Sequence, residues 1–319
     1  MAFVSVVVAI LIPMRTGLVI PSLGAPHLEN CLEAAGALDP APDETVVVLS
    51  GGATAPNRTE VFAVHRCKQR LGFAAAVNLG IAALPNGIEA VAILNDDAVP
   101  ESGWLGALAG AFEREPELAA VQGTVIGADG TSIDGRGIAF DRCGLPVQID
   151  RGLPVDADRG ERPVLAVSAT ACIYRLQALR QSALSGSESF DPRFDCYHED
   201  LDLGLRLHRL GRRSKWVGGA RTVHLGSASG PSLRWRHPWW VLANRWRALS
   251  GNLSPLAFLA AAPRLLRGEI RAVRTLARSN WRAVPVAGAV AGVVPLLAAG
   301  GWLRKTSGPR LDAIPEAAA

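Results

Sequence analysis

Glu199 and Asp200 are adjacent carboxylates at the head of a run with apolar periodicity that ends near Gly211, and His224 follows Asp200 by twenty-four residues. A second acidic pair, Asp96 and Asp97, follows Asn95 at the end of the apolar run Ala90-Val91-Ala92-Ile93-Leu94. One carboxylate can take a proton from a hydroxyl. Another can hold a divalent cation, without which a diphosphate could not approach so acidic a strand end. Each group also has a plainer reading. Carboxylates at a helix start complement its positive end, acids before Pro100 suit a solvated turn, and a lone histidine is often a satisfied core residue.

The elements between these groups decide whether they can meet. A helix from Asp200 to Gly211 climbs roughly 18 Å, and a turn at Arg212-Arg213 with a strand through Trp216-Val217 would bring the chain back. His224 would then lie near the carboxylates. Periodicity is ambiguous here, because Leu201, Leu203, Leu205 and Leu207 alternate like a strand while Leu203, Leu207 and Leu210 keep helical spacing.

Upstream, Phe3 to Leu11 reads as a first buried strand and Pro13 to Pro26 as a loop. His27 to Leu38 reads as a helix, Thr45 to Leu49 as a strand, Glu60 to Arg66 as a third strand, and Gly72 to Leu84 as a helix. Gly103 to Glu115 is expected to be helical and Leu118 to Gly123 to be a strand, and the small residues between Val164 and Arg175 are those of a tightly packed interior strand as much as of a site wall. The Gly-, Asp- and Arg-rich segment 126–163 suits a hairpin and a mobile loop anchored by Phe140 and Val147. Alternating strands and helices predict an α/β fold: a mostly parallel central sheet flanked by helices, ligands at the strands' carboxyl ends, and a helical C-terminal extension.

At 319 residues the chain can bury an ample core. Its net charge of +4 is unevenly spread: residues 231–319 hold 13 Lys+Arg against 3 Asp+Glu, and residues 1–230 hold 20 against 26. Five cysteines with no Cys-x-x-Cys spacing indicate neither a disulfide framework nor a zinc site, and point to a reducing compartment.

Two ordered blocks carry a resemblance. The first is Leu71-Gly72-Phe73-Ala74-Ala75-Ala76-Val77-Asn78-Leu79-Gly80, running on to Leu94-Asn95-Asp96-Asp97. The second starts at Phe190-Asp191 and passes through Phe194, Tyr197, Glu199-Asp200 and Asp202-Leu203 to Val223-His224-Leu225-Gly226-Ser227. Together they resemble the inverting family 2 glycosyltransferases of GT-A fold, especially bacterial rhamnosyltransferase-like members, over about residues 44–250.

The resemblance implies a role for each matching position. Asp200 is the expected base and Glu199 a carboxylate that helps bind acceptor or donor sugar. Asp97, the last acid of an Asp-x-Asp-type motif whose first position is Asn95, is expected to hold Mg²⁺ or Mn²⁺ with His224, and Asp96 to be a lesser ligand. Gly72 and Asn78 would lie against the nucleotide sugar, although plain helix packing explains Asn78 equally well. Ala169, Thr170 and Ala171 would line the acceptor side. The family's acid after the second strand is replaced by Ser50-Gly51-Gly52, so Ser50 offers the nucleobase a hydroxyl where a carboxylate is usual. The implied partners are a nucleotide-sugar donor, best matched by dTDP-rhamnose with a UDP- or GDP-hexose as alternative, and a membrane-bound or lipid-linked glycan.

Residues 1–230 are thus expected to form the catalytic domain and 231–319 a basic, tryptophan-rich tail. Arginines at 264, 267, 271, 274, 278 and 282 stripe an expected helix from Pro263 to Arg282, beside Leu265, Leu266, Ile270, Val273 and Leu276. Such a helix suits an anionic membrane surface on the cytoplasmic side; packing on the catalytic domain is the plainer alternative. Residues 283–303 carry no charge and are long enough to cross a bilayer, but their glycines and prolines favour an interfacial or packed hairpin. A nucleotidyltransferase would need a Gly-rich basic loop after its first strand, and no nucleic-acid-binding module accompanies the basic tail. An inactive membrane scaffold would give no reason for Asp97, Asp200 and His224 to occur together.

Overall fold

The computed structural model describes residues 14–24, 26–54, 62–156, 160–184, 188–226, 236–279, 284–305 and 307–315. The strand expected at 3–11 lies outside them, as do Ser227 to Trp235 and Arg282.

The first described strand is β1 (Thr16–Ser22), buried along its whole length, within the segment expected to be a loop. Pro21 and two glycines obscure it in the sequence. Ser50 N donates to Ser22 O at 3.0 Å, so Ser22 turns its backbone groups towards β2 (Glu44–Leu49) and Pro21 turns the other way. On that side the pairing with β4 (Ala90–Leu94) already ends at Val19↔Ile93, so the proline interrupts no ladder.

The sheet runs β10-β12-β6-β11-β4-β1-β2-β3, with β5 (Ala98–Pro100) on β12 and β7 (Ile133–Gly135) on β6. β4, β1, β2 and β3 (Ala63–Arg66) are parallel, as are β6 (Leu118–Gly127) and β12 (Arg213–His224). β11 (Ala171–Arg175) joins the two halves antiparallel to both β4 and β6. The stretch from Val164 to Arg175, readable as one interior strand, is therefore two pieces, because β10 (Glu161–Val164) ends where residues 165–170 leave the sheet. β8 (Ile138–Phe140) and β9 (Pro146–Gln148) form a separate hairpin, held by Phe140 and Leu145 while Val147 stays exposed, so Val147 is not the anchor it was expected to be.

Helices α1 (Leu28–Gly36) and α3 (Trp104–Arg114) cover one face of the sheet. The other face receives α2 (Phe73–Ala83), α4 (Leu176–Ser182) and α5 (Glu199–Arg209). Gly80 lets α2 approach β1 closely, since a Cβ there would lie 2.4 Å from a Val19 methyl. In α5, Leu203 and Leu207 pack on the sheet, whereas Leu201 and Leu205 face the tail helices. A helix buried on two sides explains why its leucines alternate.

The tail comprises α6 (Arg236–Asn252), α7 (Pro255–Ser279) and α8 (Val284–Trp302). The expected start of α7 at Pro263 is corrected. Ser254 caps an earlier start, its Oγ accepting from Ala257 N at 3.2 Å, and Pro263 is accommodated inside the helix. The expected hairpin at 283–303 is one helix, with Pro285 in the first turn, where no donor is needed, and Pro295 within it. After α8 the chain returns to α5, where Arg209 donates to the carbonyls of Ser307, Gly308 and Pro309.

Candidate active site

The β4 strand ends in Asn95-Asp96-Asp97, and each side chain goes a different way. Asp96 Oδ2 accepts from Ser22 Oγ at 2.5 Å, at the end of β1. Asp97 faces the cleft, 6 % exposed. The pairing of β5 with β12 sets His224 opposite Ala98 and puts its Nε2 3.3 Å from Asp97 Oδ1.

On its other side, His224 Nδ1 meets Asp134 Oδ2 at 2.8 Å. Burial works against an imidazolium here, but the carboxylates of Asp134 and Asp97 hold the proton on and raise its pKa to about 9. Asp134, whose own second oxygen pairs with Arg151 at 3.1 Å, went unrecognised in the sequence because it sits in a Gly- and Arg-rich stretch ninety residues upstream.

The opposite wall is the start of α5. Its acidic first turn (Glu199, Asp200, Asp202) and basic last turn (Arg206, His208, Arg209) match the helix dipole at both ends. Asp200 is nevertheless placed for more than that. Its Oδ1 accepts from Leu201 N at 2.7 Å, and its Oδ2 from Ala169 N at 3.3 Å. Burial pushes both Asp200 and Glu199 above the ordinary carboxylate range, Glu199 strongly, with the charge of Asp200 adding to the effect. Glu199 is 6 % exposed and its Oε2 has no hydrogen-bond partner. Ser168, Ala169 and Thr170 continue this wall, tied down by Ser168 N donating to Gln122 Oε1 at 2.6 Å.

Asp97, His224, Glu199, Asp200, Asn95, Asp96, Ser50, Ala169 and Thr170 line one cleft of about 1090 Å³. Ser50 is almost wholly covered there, its Oγ accepting from Leu71 N at 3.2 Å. Three expected positions lie elsewhere. Both ends of the Asn78 amide are used on Phe190, Nδ2 donating to its carbonyl at 2.7 Å and Oδ1 accepting from its N–H at 3.0 Å. Gly72 is packed against Asp195, whose carboxylate oxygen would lie 2.3 Å from an added Cβ. Ala171 is paired with Leu94 inside the sheet. These three hold the walls together and are not on the cleft surface.

Among the described residues no three Asp, Glu, His or Cys side chains already converge on one point. One buried oxygen at the β4 end, Asn95 Oδ1, nonetheless makes no hydrogen bond, and its neighbour Asp97 Oδ1 has only the long His224 contact at 3.3 Å. Unsatisfied oxygens facing a cleft fit a hard cation that takes its remaining oxygens from a diphosphate.

The model of glycosyl transferase family 2 matches residues 18–184, more than half of the chain. The chain belongs to that family. The match covers the β4 end and the cleft wall at Ser168 to Thr170 and stops before Glu199 and Asp200. Pre-mycofactocin glycosyltransferases from two strains of Mycobacterium tuberculosis (CDC 1551 / Oshkosh and H37Rv) are each 29 % identical over 191 residues, 56 % of this chain. The chain spans little over a third (37 %) of the length of these curated relatives. Among solved structures, the crystal structure of GalNAc-T7 with UDP, GalNAc and Mn²⁺ superposes with a TM-score of 0.56 at 13 % identity. It covers 78 % of this chain and 50 % of its own. The shared fold is GT-A, with the family 2 chain continuing into the three tail helices.

Proposed function

We propose that this protein is an inverting glycosyltransferase that moves a sugar from a nucleotide-sugar donor to a hydroxyl acceptor. The observation that carries the reading is one cleft with Asp97 and His224 on one wall and a buried, proton-attracting Asp200 on the other. Asp200 takes the proton of the acceptor hydroxyl as its oxygen attacks the anomeric carbon. The bond to the diphosphate breaks, and the nucleoside diphosphate departs with the electron pair. Glu199 lies beside the reacting sugar. Asp97 with Asn95 would hold Mg²⁺ or Mn²⁺, and His224 would join them through Nε2 once that nitrogen gives up its proton; the bound cation would supply positive charge to the departing diphosphate.

Resemblance of the two motif blocks supports dTDP-rhamnose as donor. With no acid after β2, the base would be met by Ser50 and backbone groups. Testing a panel of dTDP-, UDP- and GDP-sugars for divalent-dependent transfer or hydrolysis decides the donor, and preference for a UDP-hexose would overturn rhamnose. Asp200→Asn should lower kcat by roughly 10²–10⁴ with donor binding retained; unchanged turnover would remove Asp200 from the mechanism.

The acceptor is proposed to be membrane-bound or lipid-linked. α8 is 19 residues long with a mean hydropathy of 1.8, and 17 % of its apolar window is buried. Beside it Leu256, Leu259, Leu266 and Ile270 are exposed, together with Arg267, Arg271, Arg274 and Arg278. This apolar, cationic surface suits the anionic cytoplasmic face of a membrane. Sedimentation with vesicles containing phosphatidylserine should recover the protein at low salt, and equal recovery with neutral vesicles would argue against the charge-led reading.

A further inference from the structure

Three consecutive points of contact join α6 to the segment that delivers Glu199 and Asp200. His237, Val241 and Asn244 lie four and three residues apart, on one face of the helix. The His237 ring meets Tyr197 edge-on at 4.9 Å between centroids. Val241 O accepts from His198 Nε2 at 3.1 Å, the imidazole being kept neutral by burial and by nearby Arg245. Asn244 is fully buried, and the two N–H bonds of its Nδ2 are shared among the carbonyls of Phe194 (2.6 Å), Cys196 (2.8 Å) and Tyr197 (3.0 Å).

The backbone so held is an unfavourable one. Asp195, Tyr197 and His198 all have positive φ, at 57°, 70° and 68°, a region that side chains other than glycine rarely enter and that persists only where surroundings enforce it. His198 is the residue directly before Glu199. The orientation of the Asn244 amide is fixed as well, because Oδ1 accepts from the Arg247 guanidinium, a group that can only donate.

We infer that Asn244 is a positioning residue for the reaction: through three backbone carbonyls it holds the left-handed segment 195–198 in the shape that points Glu199 and Asp200 into the cleft. The inference rests on the reading of Asp200 as base. It makes α6, which lies beyond the family-matched segment, part of the apparatus for chemistry and not solely a means of location.

Cys196, half-buried inside the held segment, gives a reporter that needs no activity. In full-length Asn244→Ala, alkylation of Cys196 by iodoacetamide, mapped by mass spectrometry, should accelerate by about tenfold or more as the segment opens. In the same protein kcat should fall on the order of a hundredfold, with the donor KM within about threefold of wild type. Asn244→Ser, which keeps one donor, serves if the alanine variant does not fold, and should fall between the two. Asn252→Ala is the control for lost packing: it is equally buried on α6 but bonds Asp202 and Arg209, and should lower stability without either effect.

Unchanged Cys196 alkylation overturns the inference, as does faster alkylation with wild-type kcat, or the same pair of changes in Asn252→Ala. If the wild type transfers no sugar from any donor, the functional reading fails, and the alkylation rates alone decide whether Asn244 holds the segment.

Discussion

Arg304 Nη2 lies 2.7 Å from Asp202 Oδ1, and both side chains are shut away from water. The same guanidinium reaches Asp191 at 3.1 Å, while Asp202 also accepts from Arg206 at 2.9 Å and from Asn252 at 2.8 Å. A charge from the end of the chain is thereby built into the helix that begins with Glu199 and Asp200. Removing one partner from such a cluster leaves a buried carboxylate under-compensated, which is more costly than never having had the pair.

Arg304→Met should therefore destabilise the protein by about 3–5 kcal/mol, read from urea unfolding at neutral pH. The pH dependence follows from Asp202. Burial alone would raise its carboxyl, but Arg304 and Arg206 bring it down to about 2 from 3.8. A folded value below the unfolded one contributes stability, about 2 kcal/mol here, that is present above roughly pH 4 and lost as pH falls through about 2. An Arg304→Met protein whose acid unfolding matches wild type would show that the cluster carries no such linkage.

For Asp200 the sign is opposite in consequence. Burial raises its carboxyl, and the base proposed here would work only when deprotonated. The acidic limb of kcat/KM should then fall at a pH above the ordinary carboxylate range, as a property shared with Glu199. A limb near pH 4 would show the site opening to water in the working enzyme.

Glu199→Gln should raise the melting temperature at neutral pH while lowering activity. Burial, then the charge of Asp200, lift the Glu199 carboxyl well above 4.5. A raised folded value means that the pair lowers stability as pH climbs through the unfolded value and on to the folded one. The gain on substitution should be about 1.4 kcal/mol for each pKa unit by which the carboxyl is raised, because the amide removes the disfavoured charge while keeping a polar atom in place of Oε2. Calorimetric scans of both proteins from pH 4 to 8 should diverge as pH rises; curves that stay parallel would contradict this.

Asp134→Asn should weaken divalent-cation binding by about 10–100-fold, measured by titrating Mn²⁺ in the presence of nucleoside diphosphate. Asp134 orients His224 from behind, at 2.8 Å. An unaltered Mn²⁺ affinity would leave His224 as a charge partner of Asp97 and nothing more.

Much of the site was legible because its groups sit at element ends. Apolar Ala90 to Leu94 had to stop at polar residues, and the interval from Asp200 to His224 allows a helix followed by a returning strand, but it took the resemblance of the two motif blocks to put Asp97, Asp200 and His224 on one cleft. What stayed hidden depends on contacts with no periodic signature. Asn78 and Gly72 occur in a family-like block, yet their partners, Phe190 and Asp195, lie more than a hundred residues away. β1 was masked by turn-forming residues whose effect is cancelled by where its neighbours stop pairing. The alternating leucines of α5 resolved only once the tail was seen to cover a second side of that helix.

Because Arg304, Asn252 and the 307–309 carbonyls all grip α5, cutting the gene after codon 230 would not liberate a minimal soluble enzyme. The shortened product would bare Leu201 and Leu205 to solvent and strand Asp202 beside a single arginine. Expression strategies that aim to shed the greasy end of this chain should recode the outward side of α8 and leave Arg304, just beyond it, in place.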